Sequence, residues 1–237
     1  RHSQMNVMRS GVVVLIAIVG WMSAVAYAAD LRLVESAERN DAAAVEALLS
    51  EDVDVNAAQP DGATALHWAA HRNDLTSTEL LIGKGARPNA ANDYGVTPLS
   101  LACSNRNATM VTKLLRAGAD PNATQWTGET VLMTCARTGN LAAVNLLLSG
   151  GADPDGRETR WEQTALMWAL ASGHSQVAGT LVEHGAQVRA RSRGGFTPLL
   201  FATQQGDLDS VRLLLARGAD LNYATEDNGT ALTVASA

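Results

Sequence analysis

The stretch Thr97-Pro98-Leu99-Ser100-Leu101-Ala102, followed by Gly118-Ala119-Asp120-Pro121-Asn122, decides the fold because its features return at a nearly constant interval. A threonine followed two positions later by leucine occurs at Thr64, Thr97, Thr130, Thr164, Thr197 and Thr230. An apolar pair recurs with spacings of 33, 33, 33, 34 and 33 residues at Leu48-Leu49, Leu81-Ile82, Leu114-Leu115, Leu147-Leu148, Leu181-Val182 and Leu214-Leu215. Signals that share one period over most of the chain indicate a repeat array rather than one or two globular domains.

Each repeat contains the start and stop signals of two short helices. The threonine is an N-cap residue whose side chain accepts backbone N–H bonds. Pro98 and Pro198 follow it at the first helical position, where no N–H is needed. A glycine such as Gly139 ends the first helix, and the second helix carries the apolar pair and stops at a Gly-Ala step such as Gly118-Ala119. The repeating unit is therefore predicted to be a helix-turn-helix.

The composition excludes several classes of protein. The chain has 237 residues, of which 46% are hydrophobic, 18% charged and 4% aromatic, and this balance excludes a disordered tail. The net charge of −6 argues against a general nucleic-acid-binding protein. Because rings are so few, the core must be built mainly from Leu, Ala and Val, which favours closely packed helices.

The N-terminal segment differs in kind from the rest. Arg9 precedes an uncharged apolar run that closes with Ala26-Tyr27-Ala28, the pattern of a secretory signal peptide over residues 1–28. The alternative is an uncleaved membrane anchor over residues 11–29, a length that just spans a bilayer. We therefore expect an exported protein, periplasmic or secreted, whose mature chain begins at Ala29.

The repeated motifs resemble the ankyrin repeat, whose signature is Thr-Pro-Leu-His-x-Ala with a later Leu-Leu and Gly-Ala-Asp-x-Asn. The matching stretches here read Thr64-Ala65-Leu66-His67-Trp68-Ala69, Thr97-Pro98-Leu99-Ser100-Leu101-Ala102 and Thr197-Pro198-Leu199-Leu200-Phe201-Ala202. The resemblance implies an all-α fold: an ankyrin-repeat solenoid of stacked helix-turn-helix units joined by β-turn fingers.

The repeat phase divides the chain into consecutive segments. After the leader come a degenerate capping repeat at 29–61, full repeats at 62–94, 95–127, 128–161, 162–194 and 195–228, and the start of a truncated repeat at 229–237. Glu162 replaces the glycine that opens the other units, and extra residues near Glu158 and Thr225 predict two slightly distorted fingers. The first residue is not Met and the last repeat is incomplete, so we expect a fragment of a longer bacterial product.

The resemblance also implies where such a protein binds: at the finger tips and along the concave edge of the first helices. Tyr94, Trp126 and Trp161 occupy the tips of successive fingers, and Tyr and Trp are common hot-spot residues at interfaces. The alternative is that each ring packs on the next finger and is hidden there. Trp68 and Trp168 fall on the apolar face of first helices and are predicted to be core residues.

A cluster of arginines lies on two neighbouring fingers. Its members are Arg157, Arg160, Arg189, Arg191 and Arg193. Arg157 and Arg191 are 34 residues apart, so stacking is expected to bring them side by side, as with Arg160 and Arg193. A local cationic patch on an acidic protein indicates a partner with an acidic surface. The alternative is simple neutralisation by the nearby glutamates, Glu158 and Glu162.

Polar residues of the concave edge extend this candidate surface: His71, Arg72, Ser104, Asn105, Arg137, Thr138, Gln204 and Gln205. The expected partner is another protein. Nucleic acid is not expected, and membrane contact is expected only if the N-terminal segment stays uncleaved. No catalytic residue and no cofactor are predicted. The alternative function is a recognition arm of a longer enzyme or effector whose active domain lies beyond Ala237.

Two pairs of residues have spacings that raise the question of a metal site or a disulfide. His67 and His71 lie four apart on one helix, a spacing that can hold a metal, but no third ligand accompanies them. The resemblance implies instead a structural hydrogen bond for His67. Cys103 and Cys135 lie in adjacent first helices, which pack about 8–10 Å apart, farther than the roughly 4.4–6.8 Å that a disulfide needs between Cα atoms. Two buried free thiols are therefore predicted.

Overall fold

The computed structural model describes residues 31–225 and 229–235, so the predicted leader lies outside the described residues. Within those ranges the chain forms thirteen helices and no β-strand. They are α1 (Leu31–Glu38), α2 (Ala42–Leu48), α3 (Ala65–His71), α4 (Leu75–Gly83), α5 (Pro98–Ser104), α6 (Ala108–Arg116), α7 (Val131–Thr138), α8 (Leu141–Ser149), α9 (Ala165–Ala171), α10 (Ser175–Glu183), α11 (Pro198–Gln204), α12 (Leu208–Ala216) and α13 (Ala231–Ala235). None of these helices is long and apolar enough to cross a membrane, and the predicted anchor at 11–29 is not among the described residues.

The helices begin at the polar residues that the repeat pattern indicates. Thr97 Oγ1 accepts a hydrogen bond from the Ser100 N–H at 3.2 Å, and Ser100 Oγ accepts one from the Thr97 N–H at 3.0 Å. The second helices use short acids and amides in the same way, as where Asn107 Oδ1 accepts from the Met110 N–H at 3.0 Å. These caps satisfy backbone donors that a helix start leaves without a partner.

The helices end where the backbone turns left-handed. Gly139 closes α7 with a φ of 72°, and Gly118, at the Gly-Ala step after α6, has a φ of 89°. Side chains other than glycine adopt this region at an energetic cost, which explains why glycine recurs at these positions. Both stop signals read from the sequence are confirmed.

The first helices stack on one another in a row, and the second helices form a parallel row behind them. Small side chains line the contacts between first helices, and Ala69, Ala102 and Ala169 are fully buried there. Leucines fill the space between the two rows, including Leu66 and Leu166. One continuous apolar cluster therefore runs along the solenoid, and each unit depends on its neighbours to bury its apolar face.

Cys103 of α5 and Cys135 of α7 form a disulfide, and the prediction of two free thiols was wrong. Their Cα atoms lie 4.7 Å apart. The prediction used the distance between helix axes, whereas each Cα atom lies about 2.3 Å from its axis, so Cα atoms on facing sides of two helices are about 4–5 Å closer than the axes. Small neighbours such as Ala102 and Ala136 let the two helices approach closely enough for the bond.

The fingers are tight turns, each closed by a backbone hydrogen bond from its first N–H to its last carbonyl. Five-residue turns run over 59–63, 92–96, 125–129 and 192–196. The turn at 158–163 holds one residue more, because the Glu158 N–H donates to the Gln163 carbonyl at 3.2 Å. The extra residue predicted near Glu158 is confirmed. The one predicted near Thr225 was wrong, because Thr225 pairs with Gly229 over the same span as in the other turns.

The longer finger holds Glu162 in a left-handed conformation with a φ of 55°. A non-glycine residue pays about 1–2 kcal/mol there. The exposed ion pair of Glu162 with Arg193, 3.1 Å long, returns little of this cost. We expect Glu162→Gly to raise the free energy of unfolding by about 0.5–1 kcal/mol in urea denaturation. Glu162→Ala is the matched control. It keeps the strained Cβ, and an equal gain from alanine would contradict the strain argument.

Candidate partner-binding surface

The finger row comprises the turns 59–63, 92–96, 125–129, 158–163 and 192–196, held in line by backbone hydrogen bonds. One N–H of each finger after the first donates to a carbonyl of the preceding finger, over distances of 2.7 to 3.1 Å. The bonds run from Asp93 to Asp61, from Trp126 to Tyr94, from Thr159 to Thr127 and from Arg193 to Trp161. The tips therefore form an ordered row whose spacing is set by main-chain geometry.

Three aromatic rings stand on this row and remain exposed. The exposed fractions are 56% for Tyr94, 74% for Trp126 and 52% for Trp161. Tyr94 and Trp126 meet edge to face with centroids 6.5 Å apart, and the Arg160 guanidinium lies 5.2 Å from the Trp161 ring centre. Both alternatives for the rings therefore hold in part: neighbouring residues touch them, yet at least half of each side chain faces solvent.

Three arginines of the cluster join neighbouring repeats. Arg157 Nη1 donates to the Arg191 carbonyl at 2.7 Å, and Arg193 Nη2 donates to the Thr159 carbonyl at 3.0 Å. The first contact agrees with the expectation that Arg157 lies beside position 191. Arg189 Nε donates to the Gly218 carbonyl. These guanidinium groups hold neighbouring repeats together, although their residues are exposed.

The bond of Arg189 replaces one that asparagine makes elsewhere. Asn89 Nδ2 donates to the Gly118 carbonyl at 2.8 Å, and Asn122 Nδ2 donates to the Gly151 carbonyl at 2.9 Å. The repeat position of these asparagines is the one from which Arg189 reaches the next unit.

Arg160 and Arg191 are placed differently from the other arginines. Both are exposed and each lies over a ring, with the Arg191 guanidinium 4.4 Å from the Tyr223 ring centre. Within residues 31–225 and 229–235 neither of them forms an ion pair. Their charges are therefore available to a partner.

Glu158 organises the longer finger from inside. Its side chain is only 5% exposed, and its carboxylate accepts backbone N–H bonds from Arg160 at 2.6 Å, Trp161 at 2.8 Å and Gln163 at 3.0 Å. The interpretation of Glu158 as a counterion for surface arginines missed this role. The repeat pattern contains a signal for this role. Asn92 occupies the same first position of its own turn, and its Oδ1 accepts a hydrogen bond from the Val96 N–H at 2.9 Å.

The polar residues of the concave edge fall into three groups. Arg72, Asn105 and Thr138 donate to backbone carbonyls at the ends of the preceding first helices, of Glu38, His71 and Cys103 respectively. Arg137 pairs with Glu129 at 3.5 Å and lies 5.3 Å from the Trp168 ring centre. The others are exposed at the ends of first helices: His71, Ser104, Gln204 and Gln205.

Trp68 and Trp168 are half-buried rather than fully enclosed. Both pack against the core on one side, as predicted from their helical position. Trp68 Nε1 donates to Gln59 Oε1 at 2.9 Å, which links the ring to the neighbouring finger. Their outer edges therefore contribute apolar surface to the concave side.

His67 is a structural residue that joins two repeats. Its Nδ1 accepts a hydrogen bond from the Thr64 N–H at 3.1 Å, so the ring proton lies on Nε2, which donates to the Val96 carbonyl at 3.0 Å. Burial lowers the pKa of His67, against the opposing effect of the bond to Val96. Both ring nitrogens are occupied. Among the described residues no group of three or more His, Cys, Asp or Glu side chains is placed to hold a metal.

This burial predicts a pH-dependent contribution to stability. Because the pKa of His67 in the folded protein lies below its ordinary value of 6.5, the unfolded chain takes up the proton first, and stability is lost as pH falls below that value. His67→Ser keeps a cap like Ser100 but loses the bond to Val96. We expect it to cost about 1–2 kcal/mol at pH 7.5 and less at pH 5, in urea denaturation at both pH values. A gap that stays constant with pH would contradict the assignment.

Comparison with known proteins shows which family has this architecture. A family model described as ankyrin repeats (3 copies) matches residues 33–125, 107–192 and 132–225. This chain belongs to the ankyrin repeat family. The ankyrin repeat domain of Bcl-3, a solved structure, superposes with a TM-score of 0.75 at 29% identity, covering 87% of this chain and 94% of that one.

Curated relatives of this ankyrin repeat protein match it over shorter stretches. Palmitoyltransferase AKR1 of Lachancea kluyveri is 37% identical over 73 residues, which are 31% of this chain and 10% of that protein. Human protein phosphatase 1 regulatory subunit 27 is 40% identical over 65 residues, 27% of this chain and 42% of that protein. The matches thus cover less than half the length of either relative. Ankyrin repeats are in general modules of protein–protein interaction and typically non-catalytic.

Proposed function

We propose that this protein is an exported ankyrin-repeat scaffold that binds another protein through its finger row and concave edge, without catalysis of its own. The observation that carries this proposal is the row of three exposed rings, Tyr94, Trp126 and Trp161, on successive fingers. Large exposed rings are costly to leave in water, and they are the residue types that dominate interface energies.

The scaffold beneath the rings supports the same proposal. Backbone bonds join the fingers, and the Cys103–Cys135 disulfide joins α5 and α7, which follow the fingers of Tyr94 and Trp126. A surface that is already ordered loses little conformational entropy on binding, so more of its contact energy appears as affinity. The exposed concave residues His71, Ser104, Gln204 and Gln205 would widen the contact area.

Affinity capture with paired variants tests the protein-binding role. The immobilised repeat region is expected to retain a partner from extracts of its source organism, identified by mass spectrometry. The Trp126→Ala/Trp161→Ala double variant is expected to lose that partner while its thermal stability changes little. Leu208→Ala, which alters an exposed apolar residue on α12, is the matched control. Equal retention of that partner by the double variant and by the two other forms would contradict the proposed role.

Export is the second element of the proposal. Residues 1–28 read as a signal peptide, and a disulfide is typical of oxidising compartments outside the cytoplasm. Expression of the full chain in a bacterium with N-terminal sequencing of the periplasmic product tests this element. A mature start at Ala29 is expected, and a product confined to the cytoplasm with its leader intact would contradict it.

The second candidate function is a recognition arm of a longer enzyme or effector. The observation that favours it is the match to a palmitoyltransferase over only 10% of that relative's length, in which the repeats accompany a much larger protein. The complete reading frame tests it: a catalytic domain after Ala237 would support this function, and a stop codon after one further polar capping repeat would exclude it.

A further inference from the structure

The charges on the finger row are ordered from one end to the other. Asp61 and Asp93 lie on the first two fingers, and both are exposed. Arg160 and Arg191 lie at the opposite end, also exposed, with Arg193 nearby. The three exposed rings stand on the middle three fingers, so Tyr94 shares a finger with Asp93, Trp161 shares one with Arg160, and Trp126 lies between them.

Counting the charged residues of the row shows that the asymmetry is not cancelled locally. Counted together with the residue before each turn, the first two fingers (58–63 and 91–96) contain two aspartates and no basic residue, a net charge of −2. Counted in the same way, the last two fingers (157–163 and 191–196) contain four arginines and two glutamates, a net charge of +2. Among the described residues Asp93 forms no ion pair, and neither do Arg160 and Arg191.

We infer that the finger row binds an extended polypeptide segment that carries basic residues at one end, apolar residues in the middle and acidic residues at the other. This inference rests on the proposed protein-binding function and adds the chemistry of the partner. The basic end of the segment would lie over Asp61 and Asp93, and its acidic end over Arg160 and Arg191. Complementary charge at both ends sets the register, and the rings supply the contact energy.

The geometry sets the length of the segment. Four finger steps of roughly 10 Å separate the first finger from the last, a span of about 40 Å. An extended chain covers about 3.3 Å per residue, so about 12 residues cross the row. A helix would need about 27 residues for the same span.

The ring spacing fits an extended segment. The Tyr94 and Trp126 centroids lie 6.5 Å apart. Alternate side chains on one side of an extended strand are separated by about 6.6–6.8 Å. Two alternate apolar side chains of the segment can therefore each contact one ring, and the residues between them face away from the protein.

Synthetic peptides test the inference directly. The probe is a peptide of about 12 residues with a lysine block at one end, a middle in which leucine and proline alternate, and a glutamate block at the other end. The control has the same composition with alternating charges, so both have the same net charge. We expect the probe to bind at least about tenfold more tightly than the control, by quenching of Trp fluorescence in titrations at low salt. Equal affinities would overturn the inference.

Neutral variants locate the two ends. Asp61→Asn with Asp93→Asn removes the acidic end, and the new amide oxygen at position 61 can still accept from the Ala63 N–H. Arg160→Gln with Arg191→Gln removes the basic end without touching the arginines that bond to backbone. Each pair of substitutions is expected to lower the affinity for the probe severalfold and to leave the affinity for the control peptide unchanged. A benzophenone on the lysine block is expected to crosslink to 59–63 or 92–96, and crosslinks at the arginine fingers would overturn the assigned direction.

The outcomes separate this inference from the proposed function. If Trp126→Ala abolishes capture of the natural partner while all peptides bind alike, the fingers are an interface but their charge order does not select the ligand, and the inference fails alone. If capture does not depend on the finger rings, the proposed function fails as well.

Discussion

Removing the Cys103–Cys135 disulfide is expected to lower the free energy of unfolding by about 3–4 kcal/mol. The bond closes a loop between residues 32 apart in sequence, and without it the unfolded chain regains the entropy of that loop. It also holds α5 against α7 in the middle of the array. The Cys103→Ala/Cys135→Ala variant is expected to show this loss in urea denaturation.

Reductant provides the control for this prediction. Both cysteines are fully buried, so dithiothreitol reaches them only as the structure opens, and incubation must continue until free thiols are counted. Reduced wild-type protein is expected to match the double alanine variant approximately, and the variant itself is expected to be insensitive to reductant. A wild-type protein of unchanged stability after complete reduction would contradict a stabilising role for the bond.

Removing the Glu158 carboxylate is also expected to lower the free energy of unfolding strongly. Its oxygens accept N–H bonds from Arg160, Trp161 and Gln163, and hydrogen bonds to a charged acceptor contribute about 1.5–3 kcal/mol each, less where water replaces them. We expect Glu158→Ala to cost about 2–4 kcal/mol in urea denaturation. Amide hydrogen exchange at positions 160, 161 and 163 is expected to accelerate.

Two controls test whether this loss belongs to the finger. Glu158→Gln retains one acceptor oxygen and is expected to lose about half as much stability. Glu183→Ala removes an exposed carboxylate at the end of α10 and is expected to change stability by less than about 0.5 kcal/mol. Equal effects of Glu158→Ala and Glu183→Ala would show that the loss reflects net charge rather than the hydrogen bonds inside the turn.

The helices, their caps and the exposed tips could be predicted from the sequence because each rests on local signals. Thr97 caps α5 and Gly118 follows α6 for reasons contained within a few residues. The period then places Tyr94 and Trp126 on neighbouring fingers. Repeats amplify such signals, because every unit presents the same local pattern again.

The contacts between repeats could not be predicted, because they depend on distances set by packing. The closeness of Cys103 and Cys135 follows from how near two small-residue surfaces approach at one point. Glu158 beside Arg157 reads as a counterion until the turn is seen to fold around it. The charge order of the row emerges only when Asp61 and Arg191, far apart in sequence, are placed on one line of fingers.

The central claim is that the finger row is the surface that binds a partner protein. Isothermal titration calorimetry of the captured partner against wild type and Trp126→Ala tests it most directly. Loss of a hot-spot ring is expected to raise the Kd by at least about thirtyfold, with the melting temperature unchanged within about 2 °C. An unchanged Kd for Trp126→Ala would contradict the claim.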